Sequence, residues 1–203
     1  MLDIQKYSKK NWFFKYFFTK ILGIEVEKLS KEFFYKDNVE LEFKESFFYN
    51  YIENNKDTKW SGIYGADKLY QSNHDLQKLN DLKEPIDKLE KLLNDVVKKK
   101  IFKNNCVGKF KIKRLWFVIQ KKNLGHIVEE HNHPKSSLSG VYYFKVDKGS
   151  GGELNLHFEN KKTEFMPGIN DLVVFNSETL HSVNSYYGQN DRIAVAWDAI
   201  YTF

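Results

Sequence analysis

Two hydrophobic patterns divide the chain into an N-terminal and a C-terminal half. From Pro85 to about residue 100, apolar residues recur at helical spacing, and a proline in the first turn is typical of a helix start. The apolar residues on this face are Ile86, Leu89, Leu92, Leu93, Val96 and Val97. The C-terminal half shows short alternating or apolar runs between turn residues, which predict β-strands. We therefore expect a helical layer packed on a β-sandwich or barrel.

The strands of the second half are predicted at 110–120, 138–146, 153–159, 172–175 and 191–200. A glycine-rich turn and a Pro-Gly turn lie between some of them. In the first half, alternation over 38–43 predicts another strand, and a weaker pattern at 68–80 predicts another helix.

These elements predict one domain over residues 1–203. Residues 1–105 would form a mainly helical N-terminal layer with a strand or two, and 106–203 would form the β-rich core that carries the functional site. The fold class is accordingly α+β.

The segment 11–24 is aromatic and basic. Lys15 and Lys20 interrupt it, so it does not predict a transmembrane span. Packing against the domain, an oligomer contact and a membrane-surface contact all remain open for it. The single cysteine, Cys106, excludes an intramolecular disulfide, and no hydrophobic core of a secretory signal is apparent. We therefore expect a cytoplasmic protein and leave a homo-oligomer open.

The charge pattern gives no strong nucleic-acid signal. The net charge of +5 is spread over both halves, which favours a solvated lysine-rich surface. Among the 32 basic residues, only Arg114 and Arg192 are arginines. A position that keeps arginine in a lysine-rich chain is expected to use the planar, bidentate guanidinium. We expect this of Arg192, whereas Arg114 lies in a basic stretch and is expected to be solvated.

Two of the six histidines, His131 and His133, stand two residues apart before an apolar run. Residues at this spacing on a strand face the same side, and Pro134 is expected to end the pairing. Two imidazoles on one side are a metal-ligand geometry, although such pairs also occur without a metal. His181 follows a separate apolar strand, and Arg192 opens the last one. Together, the histidines and the arginine favour a metal site.

The chain resembles the iron(II)- and 2-oxoglutarate-dependent oxygenases, most closely the group found in marine bacteria and their phages. The resembling segments are "HNHPKSSLSGVYYF", "GGELNLHFEN" and "PGINDLVVFNSETLHSVNSYYGQNDRIAVAWD". The stretch "KWSGIYGADKLYQ" is similar to the same group but less specific. The resemblance runs from about residue 55 to the end, and its specific motifs lie in the C-terminal third.

This resemblance implies a double-stranded β-helix, also called a jelly roll or cupin-like fold, with supporting N-terminal helices. It also implies that His131 and His181 are iron ligands and catalytic residues. Arg192 would bind the distal carboxylate of the co-substrate 2-oxoglutarate, with O2 as the second co-substrate. The function implied is a hydroxylase whose substrate, a small molecule or a protein, is unknown.

The sequence departs from the family at one ligand. The usual motif is His-x-Asp/Glu, and this chain has His133 where the carboxylate would stand. His133 is the favoured third ligand, as in the three-histidine thiol dioxygenases. The alternatives are a carboxylate from elsewhere, with Glu130 or Glu159 as candidates, or two ligands plus water.

Either Tyr142 or Tyr143 must face the barrel interior, because neighbours on a strand alternate. We predict that Tyr142 hydrogen-bonds the co-substrate, with ordinary packing in the core as the open alternative. Two other functions remain open: a three-histidine iron dioxygenase of a small metabolite, and a jelly-roll binding module without catalysis.

Overall fold

The structure is a computed structural model that describes residues 32–55, 69–102, 108–122, 125 and 127–202. The aromatic segment 11–24, Cys106 and His126 lie outside the described residues. Residues 103–107 also lie outside the described residues. The predicted boundary at residue 105, between the N-terminal layer and the β-rich core of the single domain, therefore stays a prediction.

Within these described ranges, ten strands form two antiparallel sheets. They are β1 (Phe34–Asn38), β2 (Leu69–Gln71), β3 (Lys109–Gln120), β4 (Val128–His131), β5 (Leu138–Lys145), β6 (Leu154–His157), β7 (Lys162–Phe165), β8 (Asp171–Asn176), β9 (Leu180–Val183) and β10 (Arg192–Thr202). The large sheet has the order β1-β8-β5-β10-β3-β2, and the small sheet β4-β9-β6-β7. From β4 onward the chain crosses repeatedly between the sheets, which is the topology of a double-stranded β-helix. The predicted fold is confirmed.

The helices cover the large sheet. They are α1 (Glu45–Asn54), two 3-10 turns (Leu76–Lys78 and Asn80–Leu82), α2 (Lys83–Leu92), a π-helical turn (Leu93–Val97) and α3 (Lys98–Phe102). Leu89, Leu93 and Val97 recur every fourth residue and are almost fully buried. They belong to the same apolar core as Phe117 and Trp197 of the large sheet. The helix predicted from Pro85 is confirmed, with that proline in its first turn.

Two predictions in the first half were wrong in detail. The paired strand is β1, just before the predicted 38–43. Leu41 and Phe43 are buried, whereas Glu40 and Glu42 are exposed. The alternation of apolar and polar residues therefore reflects alternating burial in a segment that is not a strand of either sheet. Glu42 has a φ of 58°, which interrupts extended geometry.

At 68–80, the predicted helix is absent from the described residues, which start at Leu69. They form the three-residue strand β2, paired with β3, and the first 3-10 turn. Pairing with the edge of the large sheet overrides the weak local helical pattern.

Strand β10 lies at the centre of the large sheet, between β3 and β5. Its Trp197 is fully buried and lies opposite Gly140 of β5. A Cβ added at Gly140 would come within 2.2 Å of the indole, so this position requires glycine. The strand is thereby held tightly against β5, which positions the polar side chains that it carries. None of the helices in the described ranges is long and apolar enough to span a membrane.

Truncation of Phe48 tests how the helical layer is attached. Its side chain is 1% exposed and contacts the rings of Phe117 and Phe144 at centroid distances of 5.2 and 5.0 Å. We expect Phe48→Ala to lower the free energy of unfolding by about 3–5 kcal/mol. Tyr49→Ala, at the exposed neighbouring position, is expected to cost less than about 1 kcal/mol. Urea unfolding measures both, and equal losses would contradict this packing.

Candidate metal centre

The register between β4 and β9 brings two of the predicted ligands together. His131 lies directly opposite His181 in this antiparallel pair. Directly opposed residues place their side chains on the same face of a sheet. The centroids of the two imidazole rings are 4.2 Å apart.

His133 joins them from just beyond the end of β4. Its backbone N–H donates a hydrogen bond to the Ser177 carbonyl oxygen at 2.8 Å, and Pro134 begins a turn. The His133 ring centroid lies 5.2 Å from those of His131 and His181. One ligand nitrogen from each of the three side chains lies within 4.8 Å of the others. Within the described residues, these histidines form the one group of ligand-bearing side chains that could hold a metal ion.

Backbone carbonyls orient two of the rings. Nδ1 of His131 lies 2.8 Å from the Glu129 carbonyl oxygen, and Nδ1 of His181 lies 3.0 Å from that of Thr179. A carbonyl can only accept, so each Nδ1 carries the proton and each Nε2 keeps its lone pair. Metal-binding histidines are typically held in this way.

The buried imidazoles are neutral at physiological pH. Burial lowers the pKa of His133 to about 3, and the proximity of His131 contributes to the shift. Burial likewise lowers the pKa of His181 to about 3, again with a contribution from His131. Neutral imidazole is the form that binds a metal.

A cavity of about 100 Å³ lies between the two sheets, and the three histidines and Arg192 all line it. Small and aliphatic side chains, including Ala194 and Val183, form much of the remaining wall. The sequence prediction that these histidines and the arginine share one pocket is consistent with this geometry.

Arg192 is a buried cation without a carboxylate partner among the described residues. It is 2% exposed and begins β10. Its Nη1 donates to Gln120 Oε1 at 2.6 Å, and Nη2 makes a long contact of 3.5 Å with the Gly152 carbonyl oxygen. Its Nε has no hydrogen-bond partner. Burial lowers the pKa of Arg192, although a guanidinium remains charged. A buried charge requires compensation, so this position favours an anionic ligand.

Tyr143, and not the predicted Tyr142, lines the cavity beside this arginine. The Arg192 guanidinium lies 5.0 Å from the Tyr143 ring centroid and interacts with its buried hydroxyl oxygen, whose own proton has no acceptor in hydrogen-bond geometry. Burial raises the pKa of Tyr143, so the phenol is protonated and can donate. The Tyr142 hydroxyl instead donates to Asn170 Oδ1 at 2.6 Å, and its ring packs on Phe43 in the helix-facing core. The structure does not bring Tyr142 to the histidines.

Neither alternative carboxylate is part of the histidine cluster. Glu130 pairs with Nδ1 of His157 at 3.2 Å, and the other nitrogen of His157 lies 3.0 Å from Ser182 Oγ. Leu156 is paired opposite His181, so His157, one residue further, faces the outer side of the small sheet. Glu159 is exposed.

Sequence reasoning missed the polar group behind His133. Arg114, expected to be solvated, forms an ion pair with Asp198, whose side chain is fully buried. Nδ1 of His133 lies 3.3 Å from Arg114 Nη2 and 3.5 Å from Asp198 Oδ2. Burial raises the pKa of Asp198, and the hydrogen bond from Ser139 and the charge of Arg114 oppose this shift. The available signal was an aspartate inside the apolar run "AVAWDAI".

Comparisons with known proteins give one family match, which covers part of the chain. Residues 114–168 match a protein family described as "Putative 2OG-Fe(II) oxygenase". No curated protein matches the chain.

Solved structures share the fold at low sequence identity. A prolyl-4-hydroxylase of Pseudomonas putida is 13% identical with a TM-score of 0.57, covering 82% of this chain and 92% of its own. A viral collagen prolyl hydroxylase from Paramecium Bursaria Chlorella virus-1, solved with 2-oxoglutarate, is 17% identical with a TM-score of 0.56, covering 83% and 96%. An oxidoreductase of the 2OG-Fe(II) oxygenase family from Burkholderia pseudomallei is 14% identical with a TM-score of 0.53, covering 82% and 84%.

The solved structures identify the fold, and the family match covers the segment that holds His131 and His133. Residues 114–168 are thus similar to a 2OG-Fe(II) oxygenase family, and the chain shares its fold with solved structures of such enzymes.

Proposed function

We propose that the chain is an Fe(II)- and 2-oxoglutarate-dependent hydroxylase whose iron is held by His131, His133 and His181. The observation that carries this proposal is the shared cavity, in which three imidazoles and a buried guanidinium without an ion-pair partner among the described residues meet. The family match supplies the reaction class.

The donor set fits Fe(II). Imidazole is a suitable ligand for this ion, and three protein ligands on one side leave positions open for substrates. Because His133 replaces the usual carboxylate, the loaded site would carry one more positive charge than a site with two histidines and a carboxylate.

The co-substrate side of the cavity fits a carboxylate. Arg192 offers its unpaired Nε, and Tyr143 offers a buried hydroxyl proton without an acceptor in hydrogen-bond geometry. A dicarboxylate such as 2-oxoglutarate would satisfy both groups and neutralise the guanidinium. When bound, Fe(II) and 2-oxoglutarate supply the oxidation, in which O2 is reduced, 2-oxoglutarate is split into succinate and CO2, and a substrate C–H bond becomes C–OH.

The protein's own contribution is orientation and exclusion of water. The carbonyls of Glu129 and Thr179 hold two imidazoles with their Nε2 lone pairs free. The apolar walls lower the local dielectric, which strengthens the attraction between Arg192 and an anionic ligand.

One other reaction class fits the ligand set. Three imidazoles without a carboxylate also suit a dioxygenase of a small metabolite, in which Arg192 would hold the substrate's own carboxylate. The two reaction classes are distinguished by adding 2-oxoglutarate to the Fe(II) protein. A change in the absorption spectrum is expected of the 2-oxoglutarate-dependent enzyme and not of the small-metabolite dioxygenase. A binding module without catalysis would leave Fe(II) unbound.

The substrate is not assigned by these residues. Two of the similar structures are named prolyl hydroxylases, so a proline-containing peptide is the first substrate to test. A cytoplasmic location and a homo-oligomer stay predictions.

The proposed activity is tested directly. Purified protein is given Fe(II), ascorbate and 2-oxoglutarate, with and without the peptide, and succinate is followed. We expect succinate to form, and 2-oxoglutarate to perturb the anaerobic Fe(II) spectrum. A protein that binds Fe(II) but neither binds nor consumes 2-oxoglutarate would contradict the proposal.

Removal of His133 tests the third ligand. We expect His133→Ala to weaken anaerobic Fe(II) binding by more than roughly 100-fold, because a direct ligand is lost. Loss of a residue that only hydrogen-bonds to a ligand typically weakens binding by roughly 10- to 100-fold. His157→Ala is the matched control, since this histidine faces outward on the small sheet, and it should leave Fe(II) affinity unchanged. If His133→Ala also binds like the unmodified protein, His133 is not a ligand.

The two neighbouring tyrosines test the co-substrate position. Tyr143→Phe should weaken 2-oxoglutarate binding to the Fe(II) protein roughly 2- to 10-fold, since one neutral hydrogen bond is lost. Tyr142→Phe should not change it, because that hydroxyl donates to Asn170. Titration calorimetry under anaerobic conditions measures both, and the reverse order would restore Tyr142 as the contact.

Replacement of Arg192 tests the carboxylate anchor. Arg192→Lys keeps the charge and loses the planar fork, so 2-oxoglutarate binding should weaken roughly 10- to 100-fold while Fe(II) affinity is retained. Unchanged 2-oxoglutarate affinity would place its distal carboxylate elsewhere.

A further inference from the structure

A buried polar cluster lies behind His133. Its carboxylate is Asp198, on the central strand β10, and its other members are Arg114 on β3 and Ser139 on β5. Asp198 and Arg114 lie outside the cavity lining, whereas Ser139 is part of it. The side chain of Asp198 is completely buried.

The two oxygens of Asp198 have different neighbours. Oδ1 accepts a hydrogen bond from Ser139 Oγ at 2.6 Å. Oδ2 forms the ion pair with Arg114 and lies 3.5 Å from His133 Nδ1. The carboxylate therefore reaches the metal site only through the imidazole of His133.

Arg114 and Asp198 favour opposite tautomers of His133. Arg114 Nη2 lies 3.3 Å from the same Nδ1, and a guanidinium can only donate hydrogen bonds. If Arg114 donates to Nδ1, the neutral ring carries its proton on Nε2 and cannot bind a metal through that atom. If Nδ1 carries the proton and donates it to Asp198, Nε2 is free to bind.

We propose that Asp198 is a positioning residue that makes His133 a metal ligand. Its carboxylate accepts a hydrogen bond from Nδ1–H of His133 when a metal binds, with a small rotation of the ring that closes the 3.5 Å gap. Because Asp198 is ion-paired with Arg114, its role is to orient the imidazole and not to add net negative charge to the site. The inference rests on the proposed function, because it assumes a metal on the three histidines.

The architecture of β10 supports this role. Arg192, Ala194, Ala196 and Asp198 alternate along the strand and share one face. The two alanines line the cavity. One strand face thus carries the anchor for the co-substrate at one end, space for ligands in the middle, and the carboxylate behind His133 at the other.

Titration with Co(II) tests the role of Asp198 by affinity and by spectrum. We expect Asp198→Asn to weaken Co(II) binding roughly 10- to 100-fold, the usual effect of losing a partner of a metal-binding histidine. The visible absorption of bound Co(II) should also shift. Ser139→Ala is the matched control, since it removes a hydrogen bond to the other carboxylate oxygen. It should keep the affinity within roughly threefold, and the spectrum unchanged.

A double-mutant cycle then shows whether Asp198 acts through His133. In a His133→Ala background, Asp198→Asn should cause no further loss of Co(II) affinity. The same loss in both backgrounds would overturn the inference, as would a normal affinity and spectrum in Asp198→Asn alone. A Ser139→Ala variant with the full loss would overturn it as well.

Two further outcomes are distinguished. Asp198→Asn alone could fail to fold because Arg114 loses its partner. In that case the double variant Arg114→Gln/Asp198→Asn is titrated in its place, and the single variant Arg114→Gln serves as the control. We then expect the control to bind Co(II) and the double variant to bind weakly, and equal affinities would overturn the inference. If the unmodified protein takes up no divalent metal, the proposed function itself fails.

Discussion

The register of β4 against β9 is the constraint on which the site depends. It places His131 directly opposite His181, and it brings His133 to the same side at the end of β4. A slip of one residue would turn the side chains of one strand to the opposite face and separate the ligands. The small sheet is therefore more than a cover for the core, because its pairing assembles the cluster of three histidines.

The large sheet supplies what the histidines lack. Its central strand β10 is held between β3 and β5, and Trp197 packs against Gly140 without space for a Cβ. This packing holds Arg192 and Asp198 in place at two ends of the same strand face. Both are buried charges, and such groups are costly unless they are compensated. Arg114 compensates Asp198, whereas Arg192 has no ion-pair partner among the described residues and donates to Gln120.

The sequence predicted the β-rich half well, because its strands are buried and their turn residues are clear. It also identified the three histidines and Arg192 as residues that share a cavity. It missed β7, a short polar edge strand, and it misplaced β1, because alternation reports burial and not strand pairing. Tyr142 was preferred over Tyr143 because alternation says that neighbours differ but not which one faces inward.

Local sequence patterns could not predict the ion pair between Arg114 and Asp198. Arg114 lies in a stretch that looks solvated, and its partner is contributed by another strand 84 positions later. Only the pairing of β3 with β10 reveals that these two residues are neighbours, since Arg114 lies opposite Asp198 in that register. Long-range ion pairs of this kind follow from topology, which a single sequence does not specify.

The most direct test of the central claim is a crystal structure of the protein with Mn(II) and a non-reactive 2-oxoglutarate analogue. The account predicts one ion bound by Nε2 of His131, His133 and His181, with the distal carboxylate of the analogue on Arg192. An ion bound elsewhere, or an analogue whose carboxylate does not reach Arg192, would contradict it.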